Sequence, residues 1–177
     1  MCVGVHKENN VRPQTSVSFA ASIAVLAPFA IFAPAASAQE QLWLTQFGSL
    51  RLDSAGALAP DGAGGAFVGG ITLGSMGGPN AGQQDVYVAR YDNAGNRVWT
   101  KQFGTSGNDA VTALSSDGAG GVFVVGGTDA NLGGPNAGSW DIYLARYDSG
   151  GNRLWIRQIG TFAREDAYRM VPDGMGA

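Results

Sequence analysis

Residues 85–92 read Asp-Val-Tyr-Val-Ala-Arg-Tyr-Asp, and 56 positions later residues 141–148 read Asp-Ile-Tyr-Leu-Ala-Arg-Tyr-Asp. In an extended chain successive side chains point to opposite faces, so Ile142 and Leu144 lie on one face while Tyr143, Ala145 and Tyr147 lie on the other. Neither face is clearly polar. A strand of this kind belongs to a sheet covered on both sides, and like sheets stacked face to face provide that cover.

The period extends well beyond these two stretches. Trp43, Trp99 and Trp155 share the 56-residue spacing, as do Asp61, Asp117 and Asp173, and Gly78-Pro79-Asn80-Ala81-Gly82 recurs as residues 134–138. Residues 43–98 aligned without a gap to 99–154 give 31 identities, far too many for coincidence. Each unit reads as four short strands. In the second they are Ala110 to Ser116, Val122 to Gly126, Asp141 to Tyr147 and Arg153 to Ile159. Asp117-Gly118-Ala119-Gly120-Gly121 and Asp148-Ser149-Gly150-Gly151-Asn152 form tight turns, and a long loop passes through Gly133-Gly134-Pro135-Asn136. The expected fold class is all-β, with antiparallel four-stranded blades of a partial β-propeller that follows an N-terminal signal peptide. A sandwich would need one polar face per strand, and a linear β-solenoid uses a shorter repeat.

On this reading residues 39–177 form the repeat region, with units 43–98, 99–154 and a third, 155–177, that stops at a turn. About two and a half blades are therefore expected, fewer than the roughly four to eight that close a ring. A truncated frame, the first piece of a longer array, and oligomerisation that completes a ring are all open readings. Unpaired blade edges would favour self-association. Around Arg164-Glu165-Asp166 the third unit reads as shifted, with one residue gained and one lost.

Residues 1–38 read as a secretory signal peptide. Lys7 and Arg12 precede an apolar stretch from Val17 to Ala35, and Ala36-Ser37-Ala38 carries the small residues of a cleavage site, placing the cut between Ala38 and Gln39. A retained membrane helix is the competing reading, because the run nears the ~20 residues that span a bilayer; Pro28 and Pro34 interrupt it. The expected location is therefore exported: periplasm, cell surface or extracellular. Cys2 and His6 are the chain's single Cys and His. A mature chain cut at Gln39 holds neither, which removes disulfides, Cys/His metal sites and His-dependent nucleophilic catalysis. The 28 glycines, many beside Asp, Asn or Pro, suit short strands and tight turns, and a net charge of −3 leaves no basic footprint for nucleic acid.

Taken in order, Trp99-Thr100-Lys101-Gln102-Phe103-Gly104, Asp109-Ala110, Asp117-Gly118, Val122 to Thr128 and Asp141 to Asp148 resemble the bacterial SBBP-type β-propeller repeat. The resemblance covers nearly all of the chain after the signal segment. It implies an exported or cell-surface protein and supplies no catalytic residue to carry over.

Several residues invite a functional reading. The recurring tryptophans suit stacking on a sugar or cofactor, or packing between adjacent blades; their repetition favours packing. Asp92 to Asn96 and Asp148 to Asn152 offer oxygens that suit Ca²⁺, yet they lack the alternating acids and terminal Glu of a helix-loop-helix calcium site and read more simply as hairpin caps. Arg90 and Arg146 are expected to pair with Asp85 and Asp141, or with acids of a neighbouring blade. A single ligand site needs residues that differ between units. In the long loop Gln83-Gln84 gives way to Ser139-Trp140, which makes Trp140, with the loop's Asn136, the candidate ligand or partner contact. Trp140 equally suits filling a gap against the next blade. No cofactor, metal or catalytic set is expected. The resulting expectation is a non-enzymatic exported module, a binding or structural surface at the cell envelope with an unknown protein or glycan partner; a fragment of a quinoprotein-like or glycan-processing propeller enzyme is the alternative.

Overall fold

In a computed structural model the chain is described over residues 43–171. The signal segment, its Ala38–Gln39 junction and the last residues of the third unit lie outside the described residues. Strands β1 (Asp53–Pro60), β2 (Ala66–Thr72), β3 (Asp85–Tyr91) and β4 (Arg97–Phe103) form one antiparallel sheet in chain order. A second sheet repeats the order with β5 (Asp109–Ser116), β6 (Val122–Thr128), β7 (Asp141–Tyr147) and β8 (Arg153–Ile159). The described residues contain no helix.

The copies agree down to register. Val68 faces Ala89 as Val124 faces Ala145, and bulges fall at Ala55/Ala57 and Val111/Ala113. The folded unit is nevertheless offset from the tryptophan period, because the first sheet ends with the strand that carries Trp99. β6 also runs two residues past the expected Gly126: Gly127 and Thr128 continue to pair, with Ile142 and Asp141. The shift expected at residues 164–166 is absent. Trp140 bridges Arg164 as Gln84 bridges Asn108, and Glu165 accepts from the Thr161 amide as Asp109 does from Thr105, so the longer acid fills the same register position.

Each β1–β2 type turn is built on an aspartate. Asp61 Oδ1 accepts the Ala63 and Gly65 amides at 2.8 and 2.7 Å, and its Oδ2 takes Arg90 Nη2 at 2.9 Å; Asp117 does the same with Ala119, Gly121 and Arg146. The expected pairing of Arg90 and Arg146 with Asp85 and Asp141, or with acids of a neighbouring blade, is thus corrected: each partner is a turn aspartate of the arginine's own sheet. Arg90 faces Phe67 across β2, on the side where Asp61 closes the turn, while Asp85 lies at the far end of the same strand.

The two sheets share one core. Leu114 of β5 lies over Gly69 of β2, where an added Cβ would stand 3.1 Å from its side chain. Phe103 of β4 meets Tyr143 and Tyr147 of β7, both at 5.8 Å between ring centroids. Ahead of the first sheet, Phe47 meets Tyr87 and Tyr91 in the corresponding way. The recurring tryptophan reaches forward: Trp99 Nε1 donates to the Ser149 carbonyl at 3.0 Å, and its ring lies against Gly151. Gly151 has φ of +78° and no room for a side chain, so both features require glycine. Trp43 lies on Gly95 in the same fashion.

Candidate functional site

Where the long β2–β3 loop meets the segment entering the next sheet, a groove forms, and it forms twice. The first is lined by Leu50, Arg51, Leu73, Ser75, Asn80 and Gln83, and the second by Thr105, Ser106, Asp129, Asn131 and Asn136. Both rest on a common frame. Gln102 donates to Asp85 Oδ2 and the Gly74 carbonyl, each at 2.9 Å, while its Oε1 accepts the Met76 amide. Gln158 repeats this with Asp141, Ala130 and Leu132. The buried aspartate also takes the loop amide of Ala81 or Ala137 at 2.9 Å. One glutamine and one aspartate per unit thus hold the loop rigid above the sheet.

Asn136 belongs to this groove. Its Oδ1 accepts the Gly138 amide at 2.9 Å, and its buried Nδ2 has no protein partner; Asn80 is alike in both respects, with its Oδ1 taking Gly82. Trp140 does not line the groove. Its ring covers Gly127 of β6, Arg164 stacks on it at 5.3 Å, and its carbonyl accepts the Glu165 amide. The two candidate contacts are therefore not brought to one place.

The grooves differ in the residues the repeat does not share. Arg51 and Leu73 make the first cationic and apolar, whereas Asp129 and Asn131 stand at the second. Asp129 is engaged, accepting the Asn108 amide at 2.7 Å and its side chain at 2.8 Å. These positions, and the recurring glutamine, were missed by sequence reasoning; the glutamine repeats at 46, 102 and 158, and the groove positions are places where units diverge.

The other recurring acids are consumed by turns. Asp92 Oδ1 accepts the Ala94 and Asn96 amides, and its Oδ2 takes Asn96 Nδ2 at 3.1 Å; the two Asn96 bonds hold its carboxyl below the usual range. Asp148 is tied in the same way. At the sheet junction Asp109 is different. Burial pushes its carboxyl up, and the neighbouring Asp85 adds to this, against hydrogen bonds from Thr128 and Thr105. Deep burial also drives Tyr143 upward, and Tyr147 to about 12.

Fold and grooves together define a tandem β-sheet repeat protein that presents the same loop-built cleft from successive sheets. No protein-family model matches the chain. Among curated proteins it is similar to the regulatory protein FlaEY of Caulobacter vibrioides, 32% identical over 99 residues. That alignment takes in 51% of this chain and 10% of the relative, so the chain spans about a tenth of the length of the protein it matches.

Proposed function

We propose that this chain is an exported, non-enzymatic module of the SBBP-type β-propeller class, its two sheets being consecutive blades, and that it works as a binding surface at the cell envelope. The carrying observation is the doubled groove: a rigid loop frame repeated in both sheets, with differing residues set into it. Rigid scaffolds with variable loop residues are the usual construction of a recognition surface. Supporting it, the recurring aspartates are spent on turn amides, arginines and loop clamps, which is structural work. A relative described as a regulatory protein accords with a module that acts by binding.

Asn80 and Asn136 line the grooves beside other uncharged polar side chains, Ser75 and Gln83 in the first and Thr105, Ser106 and Asn131 in the second, which matches a ligand rich in hydroxyl or carbonyl groups, such as a neutral glycan or an extended peptide. Glycan and peptide arrays probed with the purified full chain test the proposal. Binding that Asn136→Ala weakens roughly tenfold, about 1.4 kcal/mol, supports it; no binding to either array, or binding indifferent to both asparagines, refutes the groove as the site. Export is tested separately by the amino terminus of the mature protein. Sequencing is expected to start at Gln39 in material from outside the cytoplasm.

A further inference from the structure

Strand register relates one face of the second sheet to a face the first sheet has already covered. On the first sheet Phe67, Val86 and Val88 point toward the second sheet and are fully buried, and Phe103 packs onto Tyr143 and Tyr147. Their counterparts Phe123, Ile142 and Leu144 are only partly buried, and Ile159, in the place of Phe103, is 67% exposed. Trp140 and Arg164 cover the Gly127 corner of that face, and Val125 beside it is buried as well.

Polar groups repeat the contrast. Arg90 Nη1 and Trp99 Nε1 both donate to the Ser149 carbonyl of the following sheet, at 3.1 and 3.0 Å. Arg146 and Trp155 stand in equivalent positions, and among the described residues Arg146 Nη1 and Trp155 Nε1 have no acceptor. The carbonyl equivalent to Ser149 belongs to Asn93, in the turn at the end of the first sheet, beside the Gly95 on which Trp43 rests.

We propose that a second copy of this chain docks head to tail on this face: its first sheet covers Phe123, Leu144 and Ile159, and its Asn93 carbonyl receives Arg146 and Trp155. The contact continues the interface already built between the two sheets and uses the same donors, with Val125 standing where Gly69 receives Leu114. Two segments yield their places. Trp43–Phe47 of the incoming copy sits where β8 would pack, and residues 165–171 of the receiving copy sit where the incoming β1 would pack. Neither is a strand, and Leu44, Tyr168 and Val171 are 83%, 79% and 81% exposed; Trp43 and Phe47, which pack on Gly95, Tyr87 and Tyr91, are displaced when the copy docks. An association of unlike faces does not close on itself with two copies, so it grows into rings or filaments. This inference stands apart from the groove reading.

Sedimentation velocity of the full chain across a wide concentration range, combined with hydrogen exchange, tests it. The expected result is mass that rises with concentration past a dimer, slowed exchange in residues 153–159 and in the Asp92–Asn96 turn together, and loss of association in Ile159→Glu. That side chain is exposed, so the variant folds, which the unchanged circular dichroism verifies. Phe47→Ala, which frees the tyrosine pocket on the first sheet, is expected to strengthen association several-fold. A chain monomeric at every concentration, an Ile159→Glu variant that associates like the parent, or protection of 153–159 with the 92–96 turn unchanged, as a back-to-back dimer gives, each overturns the proposal.

Discussion

Glycine at 151 answers two demands that a substitution separates. Its positive φ costs any other residue about 1 kcal/mol or more, a penalty that Gly118 (φ +76°, open space around it) shares. An alanine at 151 would also drive its Cβ to 2.8 Å from the Trp99 ring. Gly118→Ala is therefore expected to cost about 1 kcal/mol and Gly151→Ala at least about 2, measured by urea denaturation. Carboxyls give opposite pH signatures. Burial pushes Asp117 up, but the Ala119 amide, Arg146 and the Gly121 amide outweigh it, so its folded value lies below 3.8. Its stabilisation is present above that value and lost as pH falls through the folded one. Asp109 is raised, so its contribution is present below 3.8 and lost as pH rises through its folded value. Stability against pH for Asp117→Asn is expected to show a flatter acid limb, and Asp109→Asn to gain on the parent as pH rises. The reverse order would contradict the assigned surroundings.

At the scale of single elements, the Asp-Gly turns and the long loops depend on one side chain each. Asp117 holds two turn amides and a guanidinium at 22% exposure, so Asp117→Ala is expected to cost about 2–3 kcal/mol. Arg146→Ala leaves the two amides bound and should cost less; equal costs would mean the ion pair carries the turn. Gln158 spans Ala130, Leu132 and Asp141. Gln158→Ala is expected to speed hydrogen exchange of Leu132 and Gly133 well before it alters the sheet. Exchange rising equally in β6 and β7 would show that the loop frame and the sheet open as one.

Across the whole molecule, the sheets depend on each other because each leaves apolar surface that its neighbour covers. Leu114 is 7% exposed and sits on Gly69 of the other sheet. Leu114→Ala removes that contact and is expected to cost about 3 kcal/mol. The parent should unfold in one transition seen alike by tryptophan fluorescence and far-ultraviolet circular dichroism. Two separated transitions in the parent would show that the sheets fold independently.

Much of this was present in residue order alone. A 56-residue period, alternation apolar on both faces, and Asp-Gly or Asp-Asn pairs at fixed offsets determine four antiparallel strands per unit and the stacking of like sheets, because strand period and turn chemistry are local properties. Tertiary structure decided what depends on distance through space. It chose Asp61 over Asp85 as the partner of Arg90, and assigned the tryptophan that closes one sheet to a glycine in the next. It also parted Trp140 from Asn136, although both sit in one loop, because the loop folds back and sends their side chains to different neighbours. A sequence ranks partners by spacing; which one is met is settled by how twisted sheets pack.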